Sequence, residues 1–361
     1  GGGGVKKSCV WVVTHTARDT ADHICMRLLH LVAGMCASVR GMVTGSPEFS
    51  PRVFGRLLRS QLVGHHLEPL ATVDSTMKAA SSMLEGSSID AGLGAGSRGA
   101  LPHGAVVVAD EQTAGIGRRG RSWDSVQGSS LLFSLVWRLE EAPLPTLLPT
   151  LVRLNLAAPV AVACACEAVG VTSVRIKWPN DVWAGVPTRK LSGVIVDFNG
   201  KDAAVLGVGV NVLQDLDGST SMTSVSTELA RQAQQNTLQN TQPNPQPNPQ
   251  LNPQPKPQPK PQPNPQNPEH LRERLLAHFC DRLEILMGLS TVAVIAEHRR
   301  FDLLAKSVFR VHHRMREEED PRDYDARAVG IDESGQLRVK RLGSNEEVLL
   351  NAEEISISPR W

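Results

Sequence analysis

A long proline-rich run divides this chain into parts that can build a core and one part that cannot. From Thr241 to Pro268, proline alternates with glutamine, asparagine and lysine, and Leu251 is the one apolar side chain among them. Such a segment has too little apolar surface to offset the entropy lost on ordering. We therefore predict a disordered, solvated insertion over residues 232–268, with folded chain on either side. A proline-rich ligand for a partner domain is an alternative use of the same composition.

The first sixty residues carry an excess of basic side chains. They contain eight lysines and arginines against three acidic residues, and serine and threonine are frequent. An arginine-rich, acid-poor leader is typical of an organelle transit peptide. We predict that residues 1–60 are a basic leader, either disordered or a transit peptide. The six scattered cysteines suit a reducing compartment, so an intracellular site in a plastid, a mitochondrion or the cytosol is expected.

The charge and hydropathy of the chain argue against two classes of partner. The formal net charge is +1, from 38 basic and 37 acidic residues, so non-specific binding to nucleic acid is not favoured. The best apolar window, residues 24–39, is interrupted by Arg27 and His30 and is shorter than the roughly 20 residues that span a bilayer. We expect neither nucleic acid nor a membrane as a partner.

The segments outside the insertion alternate between strand and helix patterns. Two apolar runs, 191–198 and 204–212, are joined by Asn199-Gly200, which is a strong hairpin signal. Apolar residues at helical spacing predict a helix over 269–288, and the long apolar stretch 147–169 predicts a buried helix. Further strands are predicted at 105–110, 130–139 and 174–178. Pro159 predicts a kink or break in the buried helix, and Phe54–Leu58 is interpreted as a strand leading into the main domain.

These elements predict an α+β fold in two domains. A mixed β-sheet flanked by helices is expected over residues 61–305. After residue 305, short apolar runs separated by turn residues such as Glu333-Ser334-Gly335 predict a small separate β-barrel over 306–361.

A glycine-rich loop with three arginines follows the predicted strand 105–110. Residues 115–120 match the pattern G-x-G-x-x-G, but a dinucleotide site needs a helix after the loop, and Trp123 and a strand follow instead. The glycines are better explained by a loop that opens and closes, with arginines placed to meet a carboxylate or a phosphate. A solvated basic loop is the alternative, and it leaves Trp123 and Gln112 unexplained.

Two further motifs bring chemistry-bearing side chains together. The sequence Lys177-Trp178-Pro179-Asn180-Asp181 supplies a cation, an aromatic face and two oxygen ligands suited to Mg²⁺ and nucleotide phosphates. Its simpler interpretation is a surface turn. Lys190 begins an apolar strand, where a lysine is usually exposed, and Asn211 ends another strand with a single amide.

In combination these strings resemble the biotin–protein ligase family. VDST, EQTAGIGRRGRSW, KWPNDVW, RKLSGVIVD and GVGVN occur in the family's order and spacing across roughly residues 70–230, and residues 269–361 are similar more loosely. The resemblance implies a class II synthetase/biotin–lipoate ligase-like sheet followed by an SH3-like barrel. It implies ATP, biotin and Mg²⁺ as ligands. It also implies a partner, the biotin carboxyl-carrier domain of a biotin-dependent carboxylase such as acetyl-CoA carboxylase.

The resemblance also implies roles for particular residues. Lys190 and Arg118 would be the catalytic cations, and Asp181 is a candidate metal ligand. The residues that would bind biotin are Ser75, Thr76, Gln112, Gly115, Ile116, Gly117, Arg118, Lys190 and Gly193. The residues that would bind ATP are Arg118, Arg121, Trp123, Lys177, Asn180 and Asn211.

Two residues depart from the family's pattern, and three rival functions stay open. Ile116 stands where the family's loop usually has an arginine, and Met77 replaces a common asparagine. A lipoate or octanoate ligase or transferase would share the fold. A biotin-responsive transcriptional repressor would need an N-terminal helix-turn-helix, for which residues 1–66 show no clear pattern. A binding protein without catalytic activity is the third rival.

Overall fold

Seven strands form the main sheet of the computed structural model, which describes residues 48–86, 100–240, 269–305, 307–313, 322–344, 346–352 and 356–359. In sheet order they run β1-β2-β3-β7-β6-β5-β4, with β1 parallel to β2 and the other neighbours antiparallel. The predicted mixed sheet is therefore confirmed. The strands are β1 (Leu67–Val73), β2 (Val106–Gln112), β3 (Ser130–Arg138), β4 (Arg175–Lys177), β5 (Asp181–Ala184), β6 (Arg189–Phe198) and β7 (Ala203–Asn211).

Helices cover both faces of this sheet. Successive side chains of β2 lie on opposite faces of the sheet. Val106 and Val108 belong to one apolar core, and Val107 and Ala109 belong to another. The first core includes residues of the two long helices α3 and α5, and the second includes residues of α2. The helices are α1 (Pro51–Leu57), α2 (Thr76–Leu84), α3 (Leu144–Ala168), α4 (Val225–Asn240), α5 (Leu271–Met287) and α6 (Thr291–Arg299).

The predicted buried helix is α3, and it is one continuous helix. It runs through Pro149 and Pro159, so the break expected at Pro159 does not occur. By length and composition α3 is apolar enough to cross a membrane, but 56% of its most apolar window is buried inside the protein. A buried core helix can have the same length and apolar composition. Helix α3 packs against α5 and the sheet as such a helix does.

The predicted strand at Phe54–Leu58 is wrong, because this segment is helical. The Ser50 hydroxyl accepts a hydrogen bond from the amide of Val53 (3.4 Å), and Pro51 occupies the first helical turn of α1. Both features favour a helix start. The buried ring of Phe54 then packs into the main core. Residues 48–60 therefore belong to the folded body, although the sequence places them in the leader; residues 1–47 lie outside the described residues.

The predicted insertion begins too early at residue 232. Helix α4 continues to Asn240, and its first turns are anchored by the buried side chains of Val225 and Leu229. Residues 241–268, which hold the proline-rich run itself, lie outside the described residues.

The last part of the chain forms a second sheet. Five antiparallel strands follow one another in the order β11-β10-β9-β8-β12. This agrees with the predicted small β domain after residue 305, and its closure into an SH3-like barrel stays a prediction. The strands are β8 (Val308–His312), β9 (Tyr324–Ile331), β10 (Leu337–Arg341), β11 (Glu347–Leu350) and β12 (Ser356–Pro359).

Candidate active site

A cavity of about 180 Å³ lies over the middle of the main sheet, under the glycine-rich loop. It brings together most of the residues that the sequence singles out, although they come from four separate segments. The predicted residues that line it are Ser75, Thr76, Gln112, Ile116, Gly117, Arg118, Arg121, Trp123, Lys177, Asn180, Asp181, Lys190 and Gly193.

Three glycines form the floor of this cavity. Gly193 of β6 pairs with Gly209 of β7, and the indole of Trp123 lies on both of them. A Cβ atom at Gly209 would stand 2.5 Å from the indole, and one at Gly207 would stand 2.5 Å from the Met77 sulfur. The absence of side chains at these positions therefore lets flat or long groups lie against the sheet backbone.

One end of the cavity is neutral and polar. The amide oxygen of Gln112 accepts hydrogen bonds from the Thr76 main-chain N–H (2.8 Å) and hydroxyl (3.0 Å). Ser134 donates in turn to the Thr76 hydroxyl (2.8 Å). The network fixes the orientation of the Gln112 amide, so its NH₂ group faces a defined direction. Such an end suits a ligand ring that both donates and accepts hydrogen bonds.

The other end of the cavity is strongly cationic. Among the described residues that line it there are five cationic side chains and one carboxylate, that of Asp181, whose oxygen lies 2.8 Å from the Lys190 ammonium. Burial lowers the pKa of Lys177, the Asp181 charge opposes this shift, and Lys190 and Arg121 add to it. Concentrated like charge of this kind is costly without a bound anion. The cations are Arg118, Arg119, Arg121, Lys177 and Lys190.

The glycine-rich loop, residues 113–128, folds down as a flap over the cavity. Its two limbs are joined by an Ile116–Ser122 bridge and by the Trp123 amide, which donates to the Gly115 carbonyl (2.9 Å). The Arg118 guanidinium donates to the Asn180 side-chain oxygen (3.0 Å) and to the Ala352 carbonyl (2.8 Å), and Arg119 also donates to Ala352. The predicted cationic flap over a cavity is thus present, with Lys190 only 5.8 Å from the Trp123 ring centre.

Two predicted site residues do not line the cavity. Asn211 is buried at the end of β7, where its amide donates to the Thr223 carbonyl (3.1 Å) and accepts from Gln214 (3.4 Å). Gly115 stands beside the cavity, and a Cβ atom there would collide with the Trp123 carbonyl, so glycine is what allows the two limbs of the flap to meet.

The C-terminal sheet adds contacts that the motifs do not indicate. Ile357 of β12 lines the cavity, and Ala352 holds the flap arginines. The indole N–H of Trp178 donates to the Gly335 carbonyl in the β9–β10 turn (3.1 Å). No local pattern marks these positions or Ser134, because their importance depends on chain segments that are distant in sequence.

The carboxylate content of the site bears on metal binding. Among the residues that the structure describes, no cluster of three or more His, Cys, Asp or Glu side chains could hold a metal ion. Asp181 is the lining carboxylate, and Mg²⁺ commonly binds through one or two carboxylates together with substrate phosphates. The residues present therefore fit a metal that arrives with a nucleotide, and they do not form a closed protein cage.

The sequence of this chain is similar to those of known protein ligases. Residues 97–212 match the model of the Biotin/lipoate A/B protein ligase family. The bifunctional ligase/repressor BirA of Escherichia coli (strain K12) is 40% identical over 118 residues, which cover 32% of this chain and 35% of that protein. The Biotin--[acetyl-CoA-carboxylase] ligase of Mycobacterium tuberculosis (strain ATCC 25618 / H37Rv) is 32% identical over 185 residues, covering 48% and 60%. The chain thus spans about a third of the first relative's length.

The fold is also similar to a solved structure. The biotin protein ligase from Aquifex aeolicus in complex with biotin and ATP superimposes with a TM-score of 0.52 at 20% sequence identity. The match covers 82% of this chain and 100% of the other. At this identity the likeness shows that the two chains share a fold.

Proposed function

We propose that this chain, whose residues 97–212 match the model of the Biotin/lipoate A/B protein ligase family, activates biotin with ATP and transfers the biotinyl group to a protein lysine. One observation carries the proposal. A single cavity joins a neutral hydrogen-bonding end at Gln112 and Thr76 to a strongly cationic end under a flap. Biotin has a neutral ureido ring at one end and a carboxylate at the other, which matches this polarity.

The cationic end of the cavity reduces the repulsion between the two substrates, biotin and ATP. The biotin carboxylate and the ATP phosphates are both anions, so they repel each other as they approach. Fixed cations in a site that excludes water reduce this repulsion far more than the same charges would in solution. Lys190 and Arg118 are the proposed catalytic cations, with Arg121 and Lys177 serving the phosphates.

In the first step a biotin carboxylate oxygen attacks the α-phosphorus of ATP and pyrophosphate leaves. The product, biotinyl-5′-adenylate, is a mixed anhydride that water would hydrolyse. The flap, with Trp123 on its inner side, would shield it, since closing a site expels water and retains reactive intermediates. Ser75 and Thr76, together with Gln112 and the backbone of Gly115–Gly117, are proposed to hold the ureido end, and Asn180 and Asn211 to support the nucleotide.

In the second step a lysine amine attacks the adenylate carbonyl and AMP leaves. The amine must first lose a proton, and Asp181 is the lining carboxylate that would take it. Because Asp181 is paired with Lys190, movement of Lys190 towards the anhydride would free the carboxylate for this task. Mg²⁺ entering with ATP would neutralise phosphate charge, and Asp181 is the proposed protein ligand for it.

The proposed protein substrate is the biotin carboxyl-carrier domain of a biotin-dependent carboxylase. Support comes from the Mycobacterium tuberculosis relative, whose name describes a ligase that acts on acetyl-CoA carboxylase. The carrier lysine would reach the cavity beside the flap, where a wider groove lined by Met77, Lys78 and Asp197 opens to solvent.

The decisive experiment measures the mass of a carrier domain after incubation with the full chain, biotin, ATP and Mg²⁺. We expect one biotinyl group per carrier domain, together with biotin-dependent exchange of pyrophosphate into ATP. Lipoate and octanoate in place of biotin form the parallel arms. Exchange that depends on lipoate or octanoate but not on biotin would replace this proposal with the other branch of the family, and no exchange with any of the three acids would reject catalysis.

A further inference from the structure

The flap joins the rest of the protein at its two ends, which we call its roots. Different hydrogen bonds hold the two roots. At the first root, the amides of Thr113 and Ala114 donate to the carbonyls of Val73 and Asp74 (2.9 Å each). At the second, the amide of Gly128 donates to the carbonyl of Asp110 (2.8 Å). Asp110 lies in β2, two residues before Gln112, so the two residues share one short piece of strand backbone.

The side chain of Asp110 is anchored from two further directions. Its carboxylate accepts from the Arg272 guanidinium (2.6 Å) and from the Phe49 amide (3.1 Å). The Arg272 side chain is only 3% exposed and that of Asp110 13%, and the guanidinium also lies 6.0 Å from the centre of the Phe49 ring. A buried ion pair with these extra donors holds its atoms more rigidly than a surface pair would.

The same helix that carries Arg272 also holds the chain segment that carries Phe49. Three acidic side chains of α5 accept hydrogen bonds from main-chain amides of the segment 50–63: Glu273 from Ser50, Asp281 from Arg59 and Ser60, and Glu284 from Gln61, Leu62 and Val63. Asp110 is thus the point at which the N-terminal segment, α5 and the second flap root meet.

We propose that Arg272 and Asp110 form a positioning pair that sets the flap root at Gly128 and the orientation of Gln112. Neither side chain lines the cavity, so the pair acts through the backbone of β2. A fixed carboxylate prevents the end of β2 from shifting, and both the Gly128 hydrogen bond and the Gln112 amide depend on that backbone. Small displacements of binding groups cost much in rate even when the mutation lies away from the chemistry.

The kinetic part of this proposal rests on the proposed ligase function, but its structural part does not. The flap contains Arg118, Arg119 and Arg121, which are trypsin sites, so its opening can be followed in protein without any ligand. Cleavage after the exposed Arg300 in the same digest gives an internal reference.

The test uses Asp110→Asn, Arg272→Met and the double variant in the full chain. Each single change breaks the ion pair while one of its buried charges remains and can lower stability, whereas the double change removes both charges. The control is Arg138→Met with Asp202→Asn, a more exposed arginine–aspartate pair (2.5 Å) that involves the opposite end of β3. Thermal unfolding midpoints are measured for all variants, and digests are run well below them.

For the double variant we expect trypsin to cut the flap on the order of tenfold faster, the factor that one hydrogen bond to a charged group represents. In biotin-dependent pyrophosphate exchange we expect the KM for biotin to rise by a similar factor while kcat changes less, with Arg272→Lys partly restoring both. The control pair should behave as wild type.

Two results would overturn the proposal. One is a double variant that keeps its unfolding midpoint and has wild-type flap cleavage and KM. The other is flap cleavage that follows the unfolding midpoint alone across all variants, the control included, since that is what a purely structural pair would give. If the wild type shows no biotin-dependent exchange, the ligase proposal fails, and the trypsin comparison still decides the role of the pair.

Discussion

The ammonium of Lys190 lies 2.8 Å from the carboxylate of Asp181 at the cationic end of the cavity. Asp181 is the one carboxylate among the described lining residues, so an anionic ligand would compete with it for Lys190. A bound phosphate or carboxylate would therefore change the state of both residues at once. The ion pair thus links Lys190, the proposed cation for the first step, to Asp181, the proposed base for the second.

Replacing Lys190 with alanine should remove most adenylate formation. The ammonium would stabilise charge in the transition state, and loss of a comparable donor costs about 2.7–4 kcal/mol. Biotin-dependent pyrophosphate exchange measures the effect. Lys201→Ala, at the exposed β6–β7 turn, is the control and should keep wild-type exchange. Exchange at an undiminished rate in Lys190→Ala would contradict the assignment.

Replacing Arg118 with glycine should release reactive adenylate into solution. The change removes the Arg118 hydrogen bonds to Asn180 and Ala352, and it leaves the Arg119 bond to Ala352 in place, so the closed flap would be held less firmly. The measurement is biotin deposited on bystander proteins in the presence of ATP. Arg327→Gly, an exposed position of β9, is the control. Bystander labelling no greater than that of the wild type would argue against retention by the flap.

Replacing Ile116 with arginine should strengthen binding of the adenylate. Ile116 lines the cavity with 40% of its surface exposed, and a guanidinium there would add a sixth cation near the phosphates. We expect a several-fold lower KM for ATP, with the gain shrinking as salt increases. Val126→Arg, which lies in the same loop and is 69% exposed, tests whether any added charge suffices. Equal gains from both variants would show that Ile116 has no special position.

The stability of the fold should fall as the pH drops from about 6.5 towards 4, and His298 should account for part of the loss. Burial lowers the pKa of His298 from its ordinary value of 6.5 to about 4, so below pH 6.5 the unfolded chain binds a proton that the folded chain does not. The contribution is complete above pH 6.5 and lost by pH 4, and amounts to about 3 kcal/mol at most. Urea unfolding of wild type and His298→Leu at pH 7 and pH 4.5 measures it. A stability difference between the two proteins that is the same at both pH values would show that His298 does not titrate in this range.

Motifs with strong local signals led to correct placements. Gln112, Trp123 and Lys190 each come from a short string, and the structure brings all three into one cavity. The hairpin over β6 and β7 follows from Asn199-Gly200 and the apolar runs on either side. These features depend on residues that are neighbours in the chain, so the sequence carries enough information to locate them.

Other parts depend on contacts that no local pattern encodes. Ser134 becomes part of the site because β3 lies beside α2, and Ile357 because the C-terminal sheet packs over the cavity. Helix α1 does have local signals, because Ser50 and Pro51 are both typical of a helix start. The apolar side chains of Phe54 and Leu57 favoured the strand prediction instead. In α4 a polar sequence, typical of an unfolded insertion, continues a helix that begins on buried apolar residues.

The glycine floor has a consequence for which molecules this protein can accept. Gly193, Gly207 and Gly209 give the cavity its depth through the atoms they lack, and a single methyl group at Gly209 would reach the ring above it. A side chain at Gly207 or Gly209 would therefore push Met77 or Trp123 outward, into the space that a ligand needs. Variants that widen the range of acids must change the walls and keep glycine at these three positions.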